Sequence, residues 1–219
     1  AVTAQHLSRL SEEIVMWMNP QFGFVALSDE WTTGSSIMPQ KRNPDAAEII
    51  RGKVGRIVGA LSGLLITLKG LPLTFSKDMQ EDKEPVFDST TNISLCLDAM
   101  CGMVENMTVH PERMAEAAEH GFTTATDIAD WLAFEKGHPF RTAHEMTGAL
   151  VKLAEKSGCT LDRLDVDAAQ EICPDITPEL LADLRPRKSL HKRNSYGATA
   201  PERVRGQLDE IEDRLAKLG

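Results

Sequence analysis

Apolar residues recur at Leu7, Leu10, Ile14 and Trp17, the three-and-four spacing of one helix face, until Asn19-Pro20 breaks the run. A helix from about Ala4 to Met18 is therefore expected, followed by FGFVAL (Phe22–Leu27) as a short strand or extended stretch. The pattern then fails over TTGSSIMPQKRNPD, Thr32 to Asp45, where Gly34, Pro39 and Pro44 forbid regular structure over most of its length. Asn43 is expected to cap the next helix, with Pro44 at its first position and Asp45 near its positive end. That helix carries Ile49, Ile50, Val54, Ile57, Val58, Leu61, Leu65 and Leu68 at a period of 3.6 and ends at Gly70-Leu71-Pro72. A third long helix follows Pro85, with Ile93, Leu97, Met100, Val104 and Met107 on one face.

Past Thr108 the elements shorten and the punctuation sharpens. Helices are expected from Pro111 to Gly121, from Thr126 or Asp127 to Gly137, from Pro139 to Lys156 with Gly158 beyond, and from Thr177-Pro178. Thr199-Ala200-Pro201-Glu202 reads as a capping box opening a last helix, which repeats Val204, Leu208, Ile211, Leu215 and Leu218. The fold class expected is all-α: a long-helix bundle segment over residues 1–108, then a small C-terminal domain of short helices over residues 109–219. Gly55, Gly59 and Gly63 recur every four residues inside the second helix, each costing about 1 kcal/mol relative to alanine. Three in register predict another helix backbone close by, and so a helix surrounded on several faces, in a bundle assembled from several chains.

Composition narrows the classes. Aromatics are 5% of the 219 residues and the net charge is −9, which favours helix over strand and argues against a nucleic-acid binder or an acidic-membrane binder. The longest apolar run, Ile57 to Leu68, is too short to span a bilayer. Cys96, Cys101, Cys159 and Cys173 lack CxxC spacing and read as buried free thiols of a reducing cytoplasm. The six histidines form no ligand pattern, so no metal and no cofactor are expected. No signal-peptide pattern is present, and the sequence opens inside an apolar helical pattern without an initiator methionine, as expected of the middle of a larger protein.

The broken segment carries the candidate chemistry. Lys41, Arg42, Arg51, Lys53 and Arg56 oppose only Asp45 and Glu48 along this stretch, and the helix start offers free N–H groups to an anion. A serine beside cations and a helix start can act as base or acid. On the residues alone, the stretch reads equally as a solvated basic surface next to a turn.

GSSIMPQKRNP (Gly34–Pro44) resembles the signature of the fumarase/aspartase superfamily. KDMQEDKEPVFD, TATDIADWL, PFRTAHEMTG and SYGATAPE are similar to segments of its argininosuccinate lyase family, and the likeness covers the whole chain against about the second half of a member. It implies elimination of fumarate from argininosuccinate to give arginine, in a homotetramer whose central bundle joins long helices from every copy. By motif position Ser35 would be the catalytic serine, taking a proton from the carbon beside a carboxylate. Ser36 would help order the closed loop, Lys41 and Asn43 would bind the carboxylates of the fumarate side, and Gln80 and Lys83 would contact the amino-acid end. Phe75 stands where members usually carry tyrosine, a lost hydrogen bond to substrate. The general acid and further contacts are expected in the family's first half, so these residues alone are expected to be inactive. The expected partners are the small-molecule substrate and further copies of the chain, with no nucleic acid and no membrane. The alternatives are another fumarate-releasing lyase of the superfamily or a crystallin-like structural relative.

Overall fold

The computed structural model describes residues 1–218 and divides them into two units, Ala1–Met114 and the residues from Ala115 onward. Helix dominates both. In the first unit, α1 (Val2–Met18) buries Ala4, Ser11 and Ile14 on one side and stops at Asn19, whose Oδ1 accepts from the Gln21 N–H at 3.0 Å. Gly23, at φ +57, turns the chain into β1 (Val25–Ala26). Of the FGFVAL stretch, Phe22 lies in a turn and Val25–Ala26 is strand, antiparallel to β4 (Thr108–Val109), with Val25 opposite Val109 and Ala26 opposite Thr108. A second small antiparallel pair, β2 (Thr33–Gly34) with β3 (Arg42–Asn43), closes the base of the GSS segment.

Two long helices follow, α2 (Asp45–Leu68) and α3 (Lys83–Glu105). Their buried positions keep helical spacing: Ala47, Ile50 and Ile57 on α2, Asn92, Cys96, Met100 and Met103 on α3. Of these, Ala47, Ile50, Cys96, Met100 and Met103 join Ile14 and Leu27 in the core of this unit. Ties between helices set the register. Arg56 forks onto Asp88 through Nε (2.7 Å) and Nη2 (2.6 Å), Lys53 Nζ donates to Asn92 Oδ1 at 2.5 Å, and Arg51 bonds Glu12 on α1.

The second unit has a separate core. α4 (Pro111–Glu119) leads into it; α5 (Ala125–Phe134) and α6 (Phe140–Ser157) pack together, and α7 (Val166–Ile172), α8 (Pro178–Ala182) and α9 (Pro186–Lys192) complete it. Ile128, Leu132, Leu150, Cys173 and Ile176 are among its fully enclosed side chains. Local chemistry explains the boundaries. Gly158 ends α6 in the left-handed region at φ +63, Asp165 Oδ1 accepts from the Ala168 N–H, and Thr177 Oγ1 accepts from the Leu180 N–H. α10 (Pro201–Ala216) closes the chain.

Several expectations differ from the structure. α2 begins at Asp45 with Pro44 as its N-cap, so Asn43 lies in β3, opposite Thr33, and caps nothing. The Thr199–Glu202 box does not form: Ala200 is the N-cap of α10 and no side chain bonds there. α7 and α9 carried too few apolar periods to be foreseen, and β4 is two residues long. Of the thiols, Cys96 and Cys173 are buried, Cys159 is half-buried and Cys101 is exposed. A Cβ added at Gly55, Gly59 or Gly63 would meet no atom within 4 Å, so the small face of α2 is uncovered in a single chain.

Candidate active site

Ser35 sits where the chain leaves β2. Its Oγ accepts two backbone N–H groups, from Ile37 at 3.2 Å and from Met38 at 3.1 Å, while the Lys41 N–H closes a turn onto the Met38 carbonyl at 3.0 Å. Gly34 before it and Pro39 after it leave this geometry to the loop itself. An oxygen seated on two N–H donors is stabilised when it carries negative charge. Ser35 is half-buried; Ser36 and Lys41 are exposed.

The base of the loop is pinned on both sides. Thr33 Oγ1 donates to Asp45 at the start of α2, and Arg42 Nε donates to Asp29 Oδ1 at 2.9 Å. Neither latch was readable in the sequence, because the partners lie more than ten residues apart without a motif.

The basic cluster resolves unevenly. Arg42 pairs with Asp29, Arg51 with Glu12 and Arg56 with Asp88, and Lys53 bonds Asn92. The Arg56 hydrogen bond holds the Asp88 carboxyl below its ordinary value despite some desolvation. Among the described residues Lys41 alone of the five has neither an ion pair nor a side-chain hydrogen bond. A cation without a partner among the described residues, in the loop of a serine oxygen held by two N–H donors, is free for an anionic ligand.

Ser35, Ser36, Lys41 and Asn43 therefore share one loop. Phe75, Gln80 and Lys83 do not join them within the chain. Phe75 is exposed in the link after α2, Gln80 lies in a 3₁₀ turn (Lys77–Asp82), and Lys83 opens α3. Asp88 meets Arg56 about three turns into α2, and Lys83 is farther still from the loop, so the two groups stand roughly 20 Å apart along the helix pair. Lys83 Nζ bonds its neighbour Asp82 Oδ1 at 2.9 Å. Thr74, just before Phe75, is a β-branched residue at φ +83, a conformation that costs on the order of 1–3 kcal/mol.

His138 bonds Asp175 through Nε2 at 2.8 Å and ties two links of the second unit. Among the described residues no group of three potential metal ligands converges, and no helix is long and apolar enough to cross a membrane.

With this geometry in place, the chain can be set beside known proteins. Residues 122–191 match the family described as "Argininosuccinate lyase C-terminal", and residues 1–59 match the family described as "Lyase". Argininosuccinate lyase 1 of Mesorhizobium japonicum is 54% identical over 217 residues, which are 99% of this chain and 47% of that protein. The chain thus spans about half the length of that curated relative. Among solved structures, an EDDS lyase variant with bound fumarate superposes with a TM-score of 0.81 at 28% identity, over 98% of this chain and 44% of that one. A class II fumarase from Schistosoma mansoni gives 0.62 at 19% identity, over 84% and 36%, a likeness of fold.

Proposed function

The chain belongs to the argininosuccinate lyase family of the fumarase/aspartase superfamily, and from that premise we propose that it supplies the serine loop of an enzyme that eliminates fumarate from argininosuccinate and leaves arginine. The observation that carries the reading is the seating of Ser35 Oγ on the Ile37 and Met38 N–H groups, in the loop of the unpaired Lys41. Ser35, as an alkoxide held by those donors, takes the proton from the carbon beside a succinyl carboxylate. The C–N bond then breaks, its electron pair leaves with the nitrogen, and a general acid outside these residues protonates that nitrogen. Between the two steps the carboxylate bears extra negative charge, which Lys41 and the start of α2 offset. Asn43 binds the neighbouring carboxylate, and Ser36 orders the loop as it closes.

Gln80 and Lys83 recognise the amino-acid end, with Phe75 giving apolar contact where a phenol would donate a hydrogen bond. Because that segment stands apart from the loop within one chain, each site gathers the loop of one copy and the Gln80–Lys83 segment of another. The open glycine face of α2 and the exposed Ile49, Leu65 and Phe87 support a homotetramer built on α2 and α3. The chain by itself is then inactive, and the intact enzyme is cytoplasmic and serves arginine biosynthesis.

Fumarate release from argininosuccinate by the intact enzyme tests the substrate; its absence rejects the assignment. Ser35→Ala in that enzyme is expected to lower turnover about 10³-fold with KM nearly unchanged. Near-normal turnover would remove Ser35 from the chemistry.

A further inference from the structure

α10 is a helix without a partner. Val204, Leu208, Ile211 and Leu215 are each between 43% and 61% exposed, and no described residue of α10 is buried. Their spacing alternates four, three and four residues, which makes Val204 and Ile211 d positions and Leu208 and Leu215 a positions of a heptad. Such a stripe is a seam for another helix, and no described residue of its own unit covers it.

The charges beside the seam identify the occupant. Arg205 and Glu212 are both e positions, both exposed, and neither joins an ion pair among the described residues. In a parallel pair of identical helices the e position faces g, where Gln207 offers no charge to Glu212 and Arg205 has no partner. In an antiparallel pair e faces e. With the helices centred between Leu208 and Ile211, Arg205 of each copy then meets Glu212 of the other, twice over. The same centring stacks Leu208 on Ile211 and Val204 on Leu215, four layers each joining one a residue to one d residue. A parallel pair would instead set β-branched residues at d and leucine at a, the reverse of the order that favours two strands.

We propose that α10 docks against α10 of a second copy of this chain as an antiparallel two-stranded coiled coil. The helix is about 24 Å long, and its contact strip falls short of the about 800 Å² per partner of a standard interface, so the pair forms at high protein concentration or as one contact of a larger assembly.

Disulfide trapping reads this contact locally, whatever other surfaces associate. In a Cys101→Ser background, which removes the exposed native thiol, a Leu208→Cys chain is mixed with an Ile211→Cys chain under oxidised glutathione. The disulfide joining the two different chains is expected to exceed both like-with-like disulfides about fivefold. Arg205→Glu in both chains is expected to reduce it by a similar factor, the change that two exposed ion pairs supply, and adding Glu212→Arg in both restores it. Predominance of the Leu208→Cys like-with-like product would establish parallel pairing and overturn the proposal. So would the absence of cross-links, or a yield indifferent to the charge changes. None of these positions is buried, so the substitutions leave the folded unit intact.

Discussion

At the scale of single residues, what sets Lys41 of the proposed site apart from the neighbouring cations is whether the fold has already given a side chain a partner. Arg42, Arg51 and Arg56 were indistinguishable from Lys41 in the sequence, but carboxylates of Asp29, Glu12 and Asp88 take them up. Ser35 shows the complementary case: its signal lay in the GSS spacing, while the two N–H donors on its oxygen come from the turn itself. Gly102 illustrates a residue whose role the sequence hid. A Cβ there would lie 2.1 Å from the Trp31 ring, since α3 passes directly under that indole. Gly102→Ala should therefore destabilise the first unit by about 1–3 kcal/mol despite the better helix propensity of alanine, measured as a lowered denaturant midpoint. An unchanged midpoint would mean that the indole yields freely.

Single elements were legible in proportion to their length. α2 and α6 follow from apolar periodicity, and Gly158 marks a stop that only a left-handed residue provides. The short helices of the second unit depend on ties across the sequence instead. Asp162 is such a tie, accepting from Thr160 Oγ1 at 2.6 Å and from Arg185 Nε, at the approach to α9, at 3.2 Å. Burial pushes its carboxyl up, but those two donors outweigh it and hold the group below the ordinary carboxylate value. A depressed folded value means that this stabilisation is present above the unfolded pKa, near 3.9, and is lost as the pH falls through the folded value. Melting of the protein between pH 5 and 2 should thus show a steeper acid loss than Asp162→Asn, which lacks the titrating group. Parallel curves would place the acid sensitivity elsewhere.

For the molecule as a whole, the informative feature is how much apolar surface one copy leaves bare on its long helices. Leu61, Leu65 and Ile66 on α2 and Val86, Phe87 and Leu95 on α3 are all exposed, beside a glycine face with open space above it. Gly59→Leu tests whether other copies cover that face. In one chain a Cβ at this position meets no atom within 4 Å and the substitution replaces a poor helix former, so stability in dilute solution should hold or rise by up to about 1 kcal/mol. Assembly should weaken, seen as a smaller sedimentation coefficient at high concentration. Undiminished association would show that copies meet elsewhere.

The sequence by itself determined the all-α class, the long amphipathic helices and the loop of Ser35 and Lys41, because each is written locally in periodicity, breakers and a contiguous motif. Only the tertiary structure decided which cations are paired, that Asn43 lies in a strand rather than at a cap, and that Gln80 and Lys83 stand apart from the serine loop. Those outcomes rest on pairings between separate elements: Arg56 with Asp88 across α2 and α3, Arg51 with Glu12 across α2 and α1, Arg42 with Asp29 at the loop base, and Asn43 opposite Thr33 between β3 and β2, none of them written in a local pattern.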